Sequence, residues 1–500
     1  MRYSFNLRNK DELIGLRSES NYQVNMAVNL ALLSDDSSVI RRFFNVEIAK
    51  YMKDQYLNMI YRDTFLGHYE PGQAYAYFGL IPMIVRGKVN LLASNGFNLK
   101  SDDKQLEEIL NRIKEKCRVE ELFKVGAYWE SGIGDVAFRI GYDKSISDLP
   151  IIDVIEPQNL EVNYRRGIIK SFIVKEVAKD TKYELHEIHY KNENGFACVE
   201  YKLMYEDRYL SATENMYKTA LLQFGLKELP KTKVYPIKNF LIVFKKNNNC
   251  NILYRNERGV PDTQGLFTYE DSLSELASGL MDAVRKGAIK EYIDEDLIPE
   301  TPDGRKLQFN SFNKRIITTK GVPNPAENEK LYQLVQGRID WQSYIEPIKT
   351  LMSIAINKAG LSPTTLGITG IESINSSQES QDAREKPSMR LRTVCLAEWE
   401  KTLKEIINIW LQMYDYTHNE EIITDYSDLI NIEFNEYTNP TLENITDILI
   451  RQVGGGLKSK QTAIQDLHKN WSEQQVGEEF DKIMADNQGV LQVERNEEIN

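Results

Sequence analysis

Apolar residues recur along this 500-residue chain with two different periods, and the changes of period divide it. The clearest helical spacing follows Thr268, where Leu273, Leu276, Leu280, Val284 and Ala288 return every three to four residues. That spacing lays one narrow apolar stripe along a helix, and Asp282, Arg285, Lys286, Lys290 and Glu291 fall mostly on its other faces. Pro299, Pro302, Asp303-Gly304, Gly321, Pro323 and Pro325 then break the chain, with a strand-like run from Arg315 to Thr319 between them. A second amphipathic helix carries Ile345, Ile348, Met352, Ala355 and Ala359 on one side. Two helices bracketing a turn-and-strand insert carry a small module away from the body and bring the chain back. Both stripes are narrow, and Gly279 and Gly287 allow close backbone approach. A two-helix stalk with so little mutual apolar surface is marginal by itself, so neighbouring copies are expected to supply the missing contacts.

The rest of the chain reads in order around that unit. Residues 1–33 show no clear period and are expected to form an arm. Ser34-Asp35-Asp36 offers an N-cap for a helix from Val39 to Tyr61. Ile81 to Leu92 reads as helix ending near Asn95-Gly96, and Asp102 to Arg118 as a polar helix burying Leu106, Ile109, Leu110 and Ile113. From Asp135 the period shifts to two. Runs at 136–140, 151–155, 168–177, 183–190, 196–205 and 241–244 read as strands, with Asn194-Gly195 as a hairpin turn. A largely antiparallel β region over 135–245 therefore sits inside an otherwise helical protein. Ser362 to Ser377 reads as an exposed loop. Glu379 to Tyr416 is the longest helical pattern, striped by Leu396, Trp399, Leu403, Ile406, Trp410 and Tyr414. Pro387 removes a backbone donor inside it and predicts a kink. The tail from Thr441 reads as short helices around Gly454-Gly455-Gly456, fraying beyond about Gln488.

Composition adds limits. Apolar content of 41% and charged content of 27% are those of an ordinary globular chain of several domains. No apolar run approaches the roughly 20 residues that span a bilayer, and the opening Met1-Arg2-Tyr3-Ser4-Phe5-Asn6 lacks the apolar core of a signal peptide. Cytosolic synthesis is the expectation. Cys117, Cys198, Cys250 and Cys395 lie far apart with no CxxC pair, which argues for free thiols over a zinc site or a disulfide framework. A net charge of −12 disfavours a broad basic face gripping DNA phosphates.

Candidate chemistry is sparse. His186-Glu187-Ile188-His189 looks like a metal motif, but its histidines are three apart in an alternating segment, where they face opposite sides of a strand. A P-loop is missing: Pro82 stands where Gly87-Lys88 would need its first glycine, and Lys88 is followed by Val89. No GxSxG elbow is present. No catalytic, cofactor-binding or metal residue is therefore assigned. Arg305, Lys306, Lys314, Arg315 and Lys320 could face a protein partner, although Asp294, Glu295, Asp296 and Glu300 offset much of their field.

The order of elements resembles the portal, or head-to-tail connector, proteins of tailed bacteriophages over roughly residues 60 to 485. Phe78-Gly79-Leu80-Ile81-Pro82 through Val89-Asn90-Leu91-Leu92 and Asn95-Gly96-Phe97 resembles the family's early wing helix and turn. Ile151 to Val177, with Glu156-Pro157-Gln158-Asn159-Leu160, resembles the wing's strand, turn and strand. Asp271-Ser272-Leu273-Ser274-Glu275-Leu276 resembles the start of the first stem helix, and Gly360-Leu361-Ser362-Pro363-Thr364-Thr365-Leu366-Gly367 the exit from the second. Glu379 to Lys386, Leu391-Arg392-Thr393 and Trp399 resemble the long kinked wing helix. Leu457 to Ala463 with Trp471-Ser472 resembles the crown-side helical hairpin. Pro387 and Pro347 depart from the family's pattern, and the N-terminal arm matches no part of it.

The resemblance implies an α+β, portal-type fold: a mixed α/β wing, a two-helix stem, a small α/β clip, a long kinked wing helix and a helical crown. On that mapping 1–267 is wing, 268–291 the first stem helix, 292–338 the clip and 339–360 the second stem helix. Residues 361–378 become the tunnel loop, 379–437 the kinked helix with the rest of the wing, and 438–500 the crown. It further implies a ring, usually a dodecamer, at one vertex of the virion capsid. Double-stranded DNA would pass through its channel without sequence recognition during packaging, retention and ejection. Implied partners are the terminase large subunit, the major capsid and scaffolding proteins, and head-completion or tail adaptor proteins, with no membrane. Glu372, Ser373, Asn375, Ser376, Ser377 and Gln378 would line the channel at the loop, and Arg285, Lys286 and Lys290 on the stem. Arg305, Lys306, Lys314, Arg315 and Lys320 would dock partners at the clip. The alternatives from other classes are a metal-dependent nucleic-acid-processing enzyme and a monomeric helical scaffold.

Overall fold

Alternation in the middle of the chain becomes antiparallel sheet, and the helical stripes on either side pack against it. The computed structural model describes residues 19–47, 64–67, 74–179, 181–206, 208–247, 257–287, 290–294, 316–319, 332–335, 337, 339–368, 378–418, 424–435, 442–468, 471 and 474–484. The chain divides into two compact units, 1–434 and 435–500. The architecture is mixed α and β.

The first unit opens with helix α1 (Glu19–Leu33) and a short α2 (Ser37–Arg42) that runs into a π-helical turn at Phe43–Glu47. Asp36 caps α2 as expected, accepting from the amides of Ser38 at 2.8 Å and Val39 at 3.3 Å. The helix expected over 39–61 is described only to 47, and the rest lies outside the described residues. Residues 19–33 correct the expectation of an arm. Tyr22, Val24, Val28, Ala31, Leu32 and Leu33 are all buried and spread round more than one face of α1, so no single stripe shows in the sequence.

Helix α3 (Leu80–Ala93) leads to strand β1 (Phe97–Lys100) and helix α4 (Lys104–Lys116). Asp103 caps α4 through the Gln105 amide at 2.9 Å, while Lys114 and Lys116 complement the dipole in its last turn. Helix α5 (Val119–Ile133), absent from the sequence reading, is set off from α4 by Arg118 in a left-handed conformation. It ends at Gly134 with φ 108°, where a Cβ would lie 2.8 Å from the Gly259 carbonyl oxygen, so glycine is required.

Strand β2 (Asp135–Gly141) is the centre of a three-stranded antiparallel sheet between β3 (Ile151–Ile155) and a later strand at 242–246. Strands β4 (Leu160–Arg165), β5 (Ile168–Val177), β6 (Tyr183–Lys191), β7 (Ala197–Tyr205) and β8 (Arg208–Tyr209) form an antiparallel meander in sequence order. Gly195 turns the β6–β7 hairpin with φ 79°, and Asn192 Oδ1 accepts from the amides of Asn194 and Phe196. Helix α6 (Asn215–Gln223) packs over Leu203 and Leu210, after which β9 (Lys233–Tyr235) pairs with β7 and β10 (Ile242–Lys246) returns to β2. Ala137, Ile155, Leu160, Phe172 and Ile242 form the apolar layer joining the two sheets.

Helix α7 (Phe267–Gly287), strands β11 (Lys290–Asp294), β12 (Ile316–Thr319) and β13 (Tyr332–Val335), and helix α8 (Gln342–Lys358) form the out-and-back excursion. A 3-10 turn at Pro363–Leu366 precedes helix α9 (Gln378–Thr417), whose 40 residues run unbroken through Pro387. Strand β14 (Asn431–Phe434) pairs with β1. Leu396, Trp399, Leu403, Ile406 and Trp410 are buried as the stripe predicts, and every residue from 406 to 413 is buried, so that stretch of α9 is enclosed on all sides.

Trp399 is the hub of that core. Its Nε1 donates to Glu130 Oε2 at 2.7 Å, and its ring meets Phe123 edge-on with centroids 4.9 Å apart. Lys245 completes the cluster, its Nζ 2.8 Å from Glu130 and 5.1 Å from the Trp399 ring centroid. Lys88 pairs with Asp262 at 2.6 Å, and Arg258 with the fully buried Asp135 at 3.2 Å. Burial raises the Asp135 carboxyl and Arg258 opposes it. Cys117, Cys198 and Cys395 are free thiols, and Cys250 lies outside the described residues.

The second unit contains α10 (Leu442–Gly454), α11 (Lys460–Leu467) and a further helix over 474–484. Gly456, at φ 71°, closes α10, and the Ser459 hydroxyl caps α11 by accepting from the Thr462 amide at 3.1 Å. Leu449, Ile450, Val453, Ile464, Leu467 and Ile483 line an apolar cavity of about 390 Å³ between its helices.

The packing round Trp399 yields a direct test. A Cβ on Gly126 would lie 2.4 Å from Phe138 and 3.0 Å from Trp399. Gly126→Ala should therefore destabilise the first unit by about 2 kcal/mol through overpacking, read as an earlier midpoint in denaturant.

Candidate functional site

The excursion α7–sheet–α8 is the part of the chain to which the resemblance assigns most, and its geometry follows from small residues and polar ones. Lys358 Nζ donates to the Gly265 carbonyl at 2.9 Å, a Cβ on Gly279 would meet Tyr344 at 3.1 Å, and one on Gly287 would lie 2.3 Å from Ile339. These pairs converge from both ends, so α7 and α8 run antiparallel in one fixed register. The glycines singled out by sequence provide the close approach of the two helices. Between them β11 pairs in parallel with β12 and antiparallel with β13, giving the order β12-β11-β13.

The most buried face of α7 is polar, which the stripe of leucines does not predict. Leu273 is buried, Leu276 and Leu280 are half-buried, and Val284 is 51% exposed. Glu270, Ser274 and Ser278 are buried instead, and with Asp282 they line up at intervals of one helical turn. An extended segment runs antiparallel along this row. Ala74 donates to Asp282 Oδ1 at 3.0 Å, Ala76 to Ser278 Oγ at 2.8 Å and Phe78 to Ser274 Oγ at 3.1 Å. Gly79 and Ile81 donate to the two oxygens of Glu270, both at 2.9 Å. The match is geometric: four helical residues rise about 6 Å, and two extended residues roughly 6.6 Å.

Glu270 thereby caps α3 from outside its own segment. Gly79 is the N-cap residue of α3 and has no side chain to do so. Burial pushes the Glu270 carboxyl up to about 7, while the amides of Ile81, Gly79 and Leu80 and the Ser274 hydroxyl pull the other way. Asp271 makes a second anchor, accepting from the amides of Leu66 at 2.9 Å and Phe65 at 3.1 Å.

The sequence-assigned positions fall out unevenly. Arg285 is about half-exposed on α7, with Asp282 at 3.8 Å. Lys286 lies in the last turn of α7, but the helix expected over 268–291 ends at Gly287, and Lys290 is the first residue of β11. Glycine, the weakest helix former after proline, sits where Ile339 packs, and the chain enters the sheet there. Gln378 begins α9. Glu372, Ser373, Asn375, Ser376 and Ser377, and likewise Arg305, Lys306, Lys314, Arg315 and Lys320, lie outside the described residues.

The loop expected at 362–377 also needs correction at its start. Leu361, Ser362 and Pro363 are buried, and the Ser388 hydroxyl of α9 accepts from the Ser362 amide and the Thr365 hydroxyl, each at 2.8 Å. Leu366 fills the notch at Gly87 of α3, where a Cβ would lie 2.0 Å from it.

His186 and His189 are both buried in β6 and each pairs with the carboxylate two residues earlier, Glu184 at 2.8 Å and Glu187 at 2.9 Å. Residues two apart share a strand face, so the two pairs occupy opposite faces of the sheet. Burial opposes the Glu187 charge, but His189 and Arg139 together hold its carboxyl below the ordinary value. Among the described residues, no group of three or more His, Cys, Asp or Glu side chains is placed to hold a metal, and no helix is long and apolar enough to cross a membrane.

No family model matches the sequence, and no curated protein matches it. Among solved structures, the chain is similar to the neck of a native gene transfer agent particle computed with C12 symmetry, at TM-score 0.40 and 12% identity over 82% of this chain and 92% of that one. It is similar to the neck of the empty particle computed with C6 symmetry, at TM-score 0.42 and 11% identity over 77% and 89%. A chain of the native gene transfer agent virion gives TM-score 0.39 and 11% identity over 79% and 94%.

Two substitutions test this geometry. Glu270→Ala strands the buried amides of Gly79 and Ile81 and should cost about 3 kcal/mol, seen as an earlier thermal midpoint. Gly287→Ala should destabilise by about 2 kcal/mol through the clash with Ile339, and Ile339→Ala should recover much of that loss in the double variant, a coupling measurable by a thermodynamic cycle.

Proposed function

We propose that this chain is the subunit of a portal-type ring, a structural protein of a phage-like virion and not an enzyme. The observation that carries the reading is the antiparallel α7–sheet–α8 excursion followed by the 40-residue α9. That succession is the order of stem, clip, stem and long wing helix that the sequence resemblance implies. Met281 at 42%, Val284 at 51%, Trp341 at 56% and Ile354 at 46% exposure leave apolar surface on the excursion that one chain does not cover. Adjacent copies in a closed ring cover such surface on both flanks.

In this reading the ring has twelve subunits, sits at one capsid vertex, and passes double-stranded DNA inwards before retaining and later ejecting it. The charge suits a conduit. Twelve copies at −12 each carry on the order of 140 negative charges, which repel a passing duplex instead of capturing it. The polar run Glu372, Ser373, Asn375, Ser376, Ser377 and Gln378 suits sliding contact at the narrowest point without base readout. Arg285 and Lys286, in the last turns of α7, are assigned to the channel lower down by the resemblance, whereas Lys290 belongs to the sheet. The sheet between α7 and α8, with Arg305, Lys306, Lys314, Arg315 and Lys320, docks the terminase large subunit first and head-completion or tail adaptor proteins later. Major capsid and scaffolding proteins contact the wing.

Light scattering on the purified chain tests the ring. Twelve copies of a 57.9 kDa chain give about 700 kDa. A chain that stays monomeric at high concentration and cleaves DNA with magnesium overturns the reading. Deleting part of 370–378 should then impair DNA packaging or retention while the 700 kDa species persists; loss of the ring itself would refute the loop assignment.

A further inference from the structure

Strand β3 pairs with β2 along one edge and, among the described residues, with no strand along the other. Two cavities, of about 420 and 610 Å³, share Arg139, Asp153 and Glu187. They meet where Arg139 Nη2 lies 2.8 Å from Asp153 and Nη1 pairs with Glu187 of β6. Asp153, Val154, Ile155 and Glu156 line the smaller cavity, and Ile151 and Asp153 the larger. Neighbouring residues of a strand point to opposite faces, so what consecutive lining residues share is the backbone edge. Because β2 occupies the inner edge, the cavities follow the free one. Their far wall is the face of β5, β6 and β7 that carries Val174, Leu185, Glu187 and Tyr201.

An unpaired strand edge beside a groove accepts an extended segment, whose backbone makes the ladder and whose alternate side chains fill the groove. Residues 1–18 lie outside the described residues and lead into α1. Residues 1–33 show no period as a whole, yet within them Tyr3, Phe5 and Leu7 alternate with Arg2, Ser4, Asn6 and Arg8.

We propose that residues 2–8 dock in this cleft as an added strand, parallel to β3 and paired with its free edge within the same subunit.

Reach and direction follow from where α1 starts. Tyr22, Gln23 and Met26, near its beginning, line a third cavity of about 470 Å³ with Pro157, Gln158 and Lys175, and Lys175 also lines the 420 Å³ cavity. The segment before α1 therefore begins beside the Glu156 end of β3. The stretch 9–18 spans up to roughly 33 Å when extended, about twice the length of a strand as short as β3. Followed back towards residue 2, the segment meets the Glu156 end first and the Ile151 end last, so its direction is that of β3.

The two cavities differ as the segment does. In the smaller, Asp153, Glu156, Glu176 and Glu187 outnumber Arg139 and Lys175. The part of the segment that arrives there carries Arg8 and Lys10, with no acid before Asp11. The larger offers Ile140, Ile146, Ile151, Tyr142, Tyr201 and Leu241 to Tyr3 and Phe5, which bury large apolar faces.

Amide hydrogen exchange followed by mass spectrometry tests the docking, comparing the full-length protein with a variant lacking residues 2–9 and with Phe5→Asp. Peptides covering 151–156 should lose about tenfold or more in protection in both variants, while those from β2 and α9 keep theirs. A synthetic peptide of residues 1–10 should restore the protection in the deletion variant, and the same peptide carrying Phe5→Asp should not. Equal protection of 151–156 with and without residues 2–9 overturns the proposal. Protection that falls when the wild-type protein is diluted to the monomer assigns the groove to a neighbouring copy and overturns the pairing within one subunit. The exchange of β3 is read whether or not a ring forms, so failure of the docking and failure of the portal reading are separable.

Discussion

A backbone amide removed from water must find an acceptor, and the way residues 74–81 meet that demand fixes much else in the first unit. Residues 74–79 are extended, and the amides of Ala74, Ala76, Phe78 and Gly79 are accepted by side chains of α7. The rise of two extended residues nearly equals one helical turn, which lets a serine or carboxylate at every fourth position take every second amide. Leaving one such amide unpaired would cost about 1–3 kcal/mol, so the row specifies register as well as adhesion. Once α7 is keyed to α3 in this way, Gly279 and Gly287 key α8 to α7, and Leu366 keys the return to Gly87 of α3. The excursion is therefore anchored at its base on three sides before any partner contributes.

The second fixed point is the charged cluster round Trp399. Glu130, Lys245 and Lys88 are buried ions and Asp262 is partly buried, and burying ions in pairs adds little stability over a well-packed apolar core. Their value is positional. Glu130 accepts from the Trp399 indole and pairs with Lys245, so α5, β10 and α9 share one point of reference. Asp262 binds Lys88, Ser131 and Asn247, which ties α3, α5 and the stretch before α7 together. Such a core can slide only by breaking several charge-assisted bonds at once.

What could be read in the sequence was whatever a period of two or 3.6 exposes. The strands at 136–140, 151–155, 168–177 and 183–190 were legible as short β-branched and aromatic runs, although β2 is buried on both faces, with Val136, Ala137 and Phe138 all in the core. The Asn194-Gly195 hairpin and the Asp36 cap were legible because their chemistry is local. Helix α1 was not, since its buried residues spread over more than one face, and α5 was not, since nothing in 119–133 alone announces the left-handed break at Arg118. The polar row on α7 is the instructive miss. Serines and acids spaced by four residues look like a solvated helix face, and their burial depends on amides nearly two hundred residues earlier in the chain. The candidate site divided in the same way: the close approach at Gly279 and Gly287 was legible, while the end of α7 before Lys290 depended on Ile339.

The contrast between the two faces of α7 bears on how the excursion could work in an assembly. One face is satisfied within the chain by hydrogen bonds of fixed direction; the other leaves Met281 and Val284 in solvent. Directional bonds resist rotation of the helix about its axis, whereas apolar contact is non-directional and tolerates sliding. In the proposed ring, each stem would therefore be oriented by its own subunit and only then packed by its neighbours. That division lets subunit contacts shift without turning the residues directed at the channel.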